Sequence, residues 1–266
     1  MAETIGGGYE GFAELMNKKA QELGLTNTHF VTPHGLDDPN HYTTAYELAL
    51  LTDYALENEQ FARIVNTKTK TILMNGEQRE LYNTNELLGN LNGINGVKTG
   101  FTNNAGRCLV CSCNRDGMSV ISVVLGADTK KFRTKDSIEM IEYTYANYER
   151  IKLGEMIQKE FEKWQQDFQT NLLIEKGEKQ ELELEWNNSY EEFPVKKEEV
   201  DKIKIEIEAQ NIFIAPITKN TYIGKINILI GERKIDEVDI ITSKGVKRKG
   251  VWEYFREIMS TYVKSK

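Results

Sequence analysis

Across residues 9–23, Phe12, Leu15, Met16 and Leu23 recur at helical spacing and Gly24 stands where a C-terminal cap belongs, which predicts a helix. A second helix is predicted from Thr44, where Thr44-x-x-Glu47 forms a capping-box pattern ahead of Leu48, Leu51 and Ala55. The period then shortens. Residues 67–73 and 77–82 flank Asn75-Gly76, the strongest short-range signal for a hairpin. Three strand-like stretches follow at 96–102, 107–113 and 118–125, with Arg115-Asp116-Gly117 as a tight turn, and they read as consecutive antiparallel strands. Helical spacing returns over 133–149, with Ile138, Ile141, Tyr145 and Tyr148 on one side.

A boundary is expected near 150–155, because the pattern beyond it reads as all-β. Short alternating segments at 170–174, 181–186, 202–207, 224–230 and 237–241 suggest a small antiparallel sandwich. Within one of them Leu182, Leu184 and Trp186 alternate with Glu181, Glu183 and Glu185, giving one buried and one solvated face. Residues 175–208 carry 12 acidic against 6 basic residues, which is most simply a solvated sheet face. After Gly250 the period is helical again. Val251, Phe255, Ile258 and Tyr262 share one stripe, which fits either a helix docked on its own domain or one lying in a membrane interface.

Composition narrows the classes. The 266 residues are 39% hydrophobic and 28% charged, enough for real cores. A net charge of −7 argues against a nucleic-acid binder, whose affinity rests on neutralising phosphates. The charge is uneven, however: from Lys244 onward seven basic residues face only Glu253 and Glu257. No apolar run reaches the roughly 18 residues of a membrane span, and no signal-peptide core appears at the start. The three cysteines, Cys108, Cys111 and Cys113, do not make a disulfide framework. They also lack a fourth ligand or a nearby histidine for zinc, so no metal is expected. His34 and His41 have no matching Ser or Cys and are expected to orient the loop ending at Thr44. Pairs such as Glu191-Glu192 give no support to a glycosidase.

The chemistry concentrates at Gly96-Val97-Lys98-Thr99-Gly100-Phe101-Thr102, followed by Ala105-Gly106. On a strand, Lys98 and Gly100 share a face and Thr99 points the other way. An ammonium group beside a residue with no Cβ borders an anion-binding cleft in which a ligand approaches the backbone closely.

Three blocks resemble the serine-type D-alanyl-D-alanine carboxypeptidases, the low-molecular-mass penicillin-binding proteins. His29-Phe30-Val31-Thr32-Pro33-His34-Gly35-Leu36, with His41 and Thr43-Thr44-Ala45, is similar to the family's segment ahead of its Lys-Thr-Gly motif. Residues 96–106 are similar to the Lys-Thr-Gly strand and the start of the next one. Ala215-Pro216-Ile217-x-Lys219 through Gly224-Lys225-Ile226 resembles the family's C-terminal sandwich domain. The resemblance implies an α+β fold. Residues 1–150 would be the C-terminal part of a transpeptidase/β-lactamase-like catalytic domain, 151–245 an all-β sandwich, and 246–266 an amphipathic basic helix that anchors at a membrane.

It also implies a mechanism. A serine in Ser-x-x-Lys attacks the carbonyl between two D-alanines, the terminal one leaves, and water hydrolyses the acyl-enzyme. Lys98 would be the catalytic cation, and Lys98, Thr99, Gly100 and Thr102 would bind the substrate, with no cofactor. The sequence departs from the pattern in one respect: it contains no Ser-x-x-Lys, and Ser112-Cys113-Asn114 matches Ser-x-Asn only after Lys98. Residues 2–7 resemble the helix that follows the family's second motif, so the expectation is a chain lacking the segment that carries the nucleophile, its Lys and a signal peptide, and inactive by itself.

Expected partners are a peptidoglycan pentapeptide, β-lactam antibiotics once that segment is present, and a membrane surface through residues 250–266. A dimer, or complementation by the missing segment, is expected at the open sheet edge. The expected location is the bacterial cell envelope, on the outer face of the cytoplasmic membrane. The alternative is a non-catalytic truncated envelope protein that binds peptidoglycan or a partner chain. A class A β-lactamase would leave the sandwich and the terminal helix unexplained.

Overall fold

The computed structural model describes residues 1–187 and 192–264, and the chain divides into two compact units, Met1–Ala146 and Asn147–Lys266. Glu191 of one expected loop and Lys266 of the basic tail lie outside the described residues.

In the first unit, α1 (Ala2–Gly6) and α2 (Tyr9–Glu22) precede α3 (Ala45–Leu56) and α4 (Glu59–Val65). The hairpin β1 (Thr69–Met74) and β2 (Glu77–Tyr82) comes next, then the sheet β3 (Ile94–Thr102), β4 (Gly106–Arg115) and β5 (Met118–Ala127), then α5 (Lys130–Asn147). Asn75 (φ 53°) and Gly76 (φ 85°) both take the left-handed backbone that a two-residue hairpin turn requires, and Met74 pairs with Glu77 across it. Helix α4 escapes the periodic pattern because it is only seven residues long; Asn58 caps it, accepting from the amides of Gln60 and Phe61.

The capping box at Thr44 forms only in half. The Thr44 hydroxyl accepts the Glu47 amide at 3.1 Å, but the buried Glu47 carboxylate accepts instead from the Asn27 amide (2.8 Å) and the Thr28 hydroxyl (2.5 Å). Burial pushes the Glu47 carboxyl up, but these hydrogen bonds outweigh it and hold the group below its ordinary value. They also fix the start of the 29–44 loop against α3.

The sheet is antiparallel in the order β3-β4-β5. Leu109, Cys111 and Cys113 alternate inward along β4 and are completely buried with Ile141 of α5, alongside Leu87, Leu88 and Ile94. Burial raises the Cys111 thiol to about 12. Among the described residues both outer edges of this sheet, on β3 and β5, are unpaired.

The second unit corrects the expectation of an all-β stretch after 155. Following β6 (Tyr148–Ile151), the 19-residue α6 (Leu153–Asn171) buries Leu153, Ile157, Phe161 and Phe168 in the core, with Phe168 stacked on Trp164 at 4.6 Å. Those four buried residues stand at intervals of four, four and seven, a helical stripe set among long polar side chains. The remaining strands are β7 (Leu173–Glu175), β8 (Leu184–Trp186), β9 (Phe193–Lys196), β10 (Ile203–Ala209), β11 (Ile212–Ile214), β12 (Tyr222–Ile230) and β13 (Arg233–Thr242).

A four-stranded antiparallel sheet runs β10-β12-β13-β8, and β6 pairs with β9. The pair β7–β11 is parallel rather than antiparallel, because the long connection between the two strands allows a crossover. Leu182 and Trp186 are buried and their alternating glutamates exposed, as the pattern predicts, and the Trp186 indole donates to Gln158 of α6 at 3.0 Å. Helix α7 (Val251–Lys264) closes the chain with Val251, Trp252, Tyr254, Phe255 and Met259 exposed. The Ile258 and Tyr262 side chains expected on the same stripe lie outside the described ones. Among the described residues no helix is long and apolar enough to cross a membrane.

Candidate active site

Strand β3 owes its position to the loop that precedes it. Asn83 donates to the carbonyls of Val65 (3.1 Å) and Thr67 (3.2 Å), tying the hairpin's exit to the end of α4. Asn85 is buried; its side-chain amide donates to the Gly96 carbonyl at 2.8 Å, and its oxygen accepts the Leu87 amide at 3.1 Å. This clip brings the Thr84 hydroxyl to 2.7 Å from the Thr99 hydroxyl. At the far end of β3 the Thr102 hydroxyl accepts the Ala105 amide at 2.9 Å, closing the turn into β4.

The four residues expected from sequence, Lys98, Thr99, Gly100 and Thr102, all line one cavity of about 1020 Å³. The Lys98 ammonium donates to the Thr99 carbonyl at 2.5 Å and is exposed, so its other protons are available to a ligand. A Cβ placed at Gly100 would meet only the Cys108 Cβ, at an ordinary 3.7 Å. The protein's own packing therefore makes no demand for glycine there; the room lies open for whatever enters the cavity.

His34 and His41 line the same cavity but hold the loop in shape. The His41 Nδ1 accepts the Val31 amide at 3.2 Å, and its ring meets Phe30 edge-on at 5.7 Å. Partial burial moves its pKa down. The His34 Nδ1 accepts the Leu36 amide at 3.3 Å. Ser112 is buried within β4 and lines no part of this cavity.

The site also contains residues that the sequence reading missed: Thr84, Glu86, Arg107, Lys130 and Arg133. Arg133 is buried on α5 in line with Ser137 and Ile141, one helical turn apart each, so a basic residue on an otherwise inward stripe was the available signal. It donates to Glu86 at 3.1 Å, and Glu86 also accepts from Thr134. Among the described residues the Arg133 Nε has no partner, a cost that a buried guanidinium bears when it faces a site. Four cations line the cavity against one carboxylate, Glu86, on a chain whose net charge is −7. Such a pocket concentrates anions.

Residues 1–129 match the family model described as D-alanyl-D-alanine carboxypeptidase, and residues 165–248 match the C-terminal domain of penicillin-binding protein 5. The chain is 30% identical to D-alanyl-D-alanine carboxypeptidase DacF of Bacillus subtilis over 100% of this chain and 66% of that protein. It is 31% identical to DacA of Haemophilus influenzae over 95% of this chain and 62% of that protein. It thus spans just under two thirds of the length of these relatives. The crystal structure of penicillin-binding protein 5 from Haemophilus influenzae superposes with a TM-score of 0.72 at 28% identity, covering 93% of this chain and 69% of that one. The Streptomyces K15 DD-transpeptidase matches 55% of this chain and 60% of its own, with a TM-score of 0.51 at 33% identity. The matches run through both units in the same order: the first unit resembles the D-alanyl-D-alanine carboxypeptidase family and the second the C-terminal domain of penicillin-binding protein 5.

Proposed function

We propose that the cavity beside β3 is the substrate-binding part of a D-alanyl-D-alanine carboxypeptidase site that trims the terminal D-alanine from peptidoglycan stem peptides. One observation carries the reading: Lys98, Thr99, Gly100 and Thr102 stand together along an edge strand that is unpaired among the described residues, and line a cation-rich cavity. An extended peptide adds to such an edge through main-chain hydrogen bonds, and its terminal carboxylate is received by the Lys98 ammonium and the threonine hydroxyls. Lys98 then supplies charge where it develops and assists proton transfer between hydroxyls.

Calorimetry with an N-acyl tripeptide ending in D-Ala-D-Ala tests this on the 1–266 chain. Lys98→Ala, or amidation of the peptide's C-terminus, should each weaken binding by about tenfold or more, since a hydrogen bond to a charged partner is lost. Equal affinity in all three measurements would refute the assignment. The sequence holds no Ser-x-x-Lys, so this chain alone should take up no covalent penicillin. Intact-mass measurement after incubation with a β-lactam checks that, and an acyl adduct on any serine would overturn it.

The same reading places the chain in the bacterial envelope, with α7 lying on the outer face of the cytoplasmic membrane. The exposed Val251, Trp252, Phe255 and Met259, with basic residues around them, supply apolar area and attraction to anionic headgroups. The chain should pellet with anionic liposomes and release at high salt, and removing residues 250–266 should abolish the binding. Unchanged pelleting without those residues would place the membrane contact elsewhere.

A further inference from the structure

Arg107 opens β4 directly opposite Phe101, the residue that follows the Lys98-Thr99-Gly100 run on β3. Its guanidinium lies over the Phe101 ring, 3.5 Å from the centroid. Phe101 is half exposed to solvent, and both residues line the cavity that holds Lys98. Two features make this more than a surface stack. Among the described residues no carboxylate pairs with Arg107, and the cavity's one acid, Glu86, is already engaged by Arg133 and Thr134. The ring also occupies the face of the guanidinium, which leaves its N–H edge free and its plane fixed. That is the presentation suited to a bidentate carboxylate.

The spacing says which carboxylate. Phe101 stands three residues from Lys98 on an extended strand, roughly 10 Å away at about 3.3 Å per residue. A backbone spacing of that order suits two carboxylates carried at different points of one extended ligand. They fit the two ends of an extended peptide segment: its C-terminus, and an acidic side chain upstream of the terminal dipeptide.

We propose that Arg107, held on Phe101, binds a second carboxylate on the substrate, so that the site selects stem peptides whose residue before D-Ala-D-Ala carries a free side-chain carboxylate over those in which it is amidated or absent. This rests on the assignment of Lys98 to the terminal carboxylate. The two cations would then fix both position and direction of the peptide on β3. Arg107 here is a specificity residue; it is not placed at the reacting atoms.

Two peptides that differ only in charge make the test: N-acetyl-meso-diaminopimelyl-D-Ala-D-Ala and the same peptide with the side-chain carboxylate amidated. Affinities are measured for the 1–266 chain and for Arg107→Gln, with far-UV circular dichroism confirming that the variant is folded. The acidic peptide should bind the unmodified chain about three- to tenfold more tightly, as expected for a charge-assisted contact at a half-exposed site. In Arg107→Gln the preference should vanish, while amidation of the C-terminal carboxylate should still weaken binding. A preference that survives in Arg107→Gln, or is absent from the unmodified chain, overturns the role of Arg107 and leaves that of Lys98 standing. Binding that ignores the C-terminal carboxylate in both proteins overturns the Lys98 assignment and this inference with it.

Discussion

Replacing Asn85 by Ala should loosen β3 without touching any residue assigned to the ligand. The side chain is buried and serves two backbone groups, donating to the Gly96 carbonyl at 2.8 Å and accepting the Leu87 amide at 3.1 Å. Alanine leaves both without partners, at about 1–3 kcal/mol for each buried unsatisfied group, so the first unit should lose about 2–6 kcal/mol. With a urea m-value of about 2 kcal/mol/M, its unfolding midpoint should fall by about 1–3 M. The two units need separate probes, because a chain of two units has no single unfolding transition. Trp164, Trp186 and Trp252 all lie in the second unit, so fluorescence reports that unit alone. The first unit is reported by thiols: Cys111 and Cys113 are wholly buried, whereas Cys108 is partly exposed. A thiol reagent should label one cysteine in the folded chain and three once the first unit opens. In Asn85→Ala the last two should become reactive at lower urea while the tryptophan transition stays in place. A shift worth less than about 0.5 kcal/mol, or an equal shift in both probes, would refute this account of how β3 is held.

Further outcomes follow from other parts of the chain. Phe161→Ala in α6 should cost the second unit about 3–5 kcal/mol and move the tryptophan transition while leaving thiol protection unchanged. Because the folded-state Glu47 carboxyl is held below its ordinary value, its contribution is fully present above the ordinary carboxylate pKa and is lost as pH falls through the depressed value. Urea melts followed by the reactivity of Cys111 and Cys113 should therefore show the first unit weakening with acid, and Glu47→Gln should be weaker at neutral pH with a flatter acid response. The open β5 edge carries no charge over its ten residues, so the chain should self-associate and Val123→Lys should reduce it. A clean monomer of the unmodified chain by light scattering at high concentration would count against that.

What could be read from sequence tracks the range over which each feature is determined. The Asn75-Gly76 hairpin, the capped start of α3 and the three strands from β3 to β5 are set by near neighbours, and their residues announced them. Lys98, Thr99, Gly100 and Thr102 were legible for the same reason, since a short contiguous motif carries them. Arg107 and Arg133 were not. They reach the cavity from a neighbouring strand and from α5, and only register and helix packing bring them there. Helix α6 was missed because its four buried large apolar residues are diluted by charged and amide side chains, so its stripe is narrow against a polar background. The parallel pairing of β7 with β11 joins segments nearly forty residues apart, beyond the reach of any local pattern.

The assignment of Lys98 is tested most directly by locating the peptide on the chain. Isotope-labelled protein titrated with an N-acyl peptide ending in D-Ala-D-Ala should show amide shifts concentrated at residues 98–102 and at Thr84, with the same peptide amidated at its C-terminus producing little change. Shifts that gather elsewhere, for example along the groove formed by Val120, Val123, Met140 and Tyr143, or shifts at β3 that persist undiminished with the amidated peptide, would contradict it.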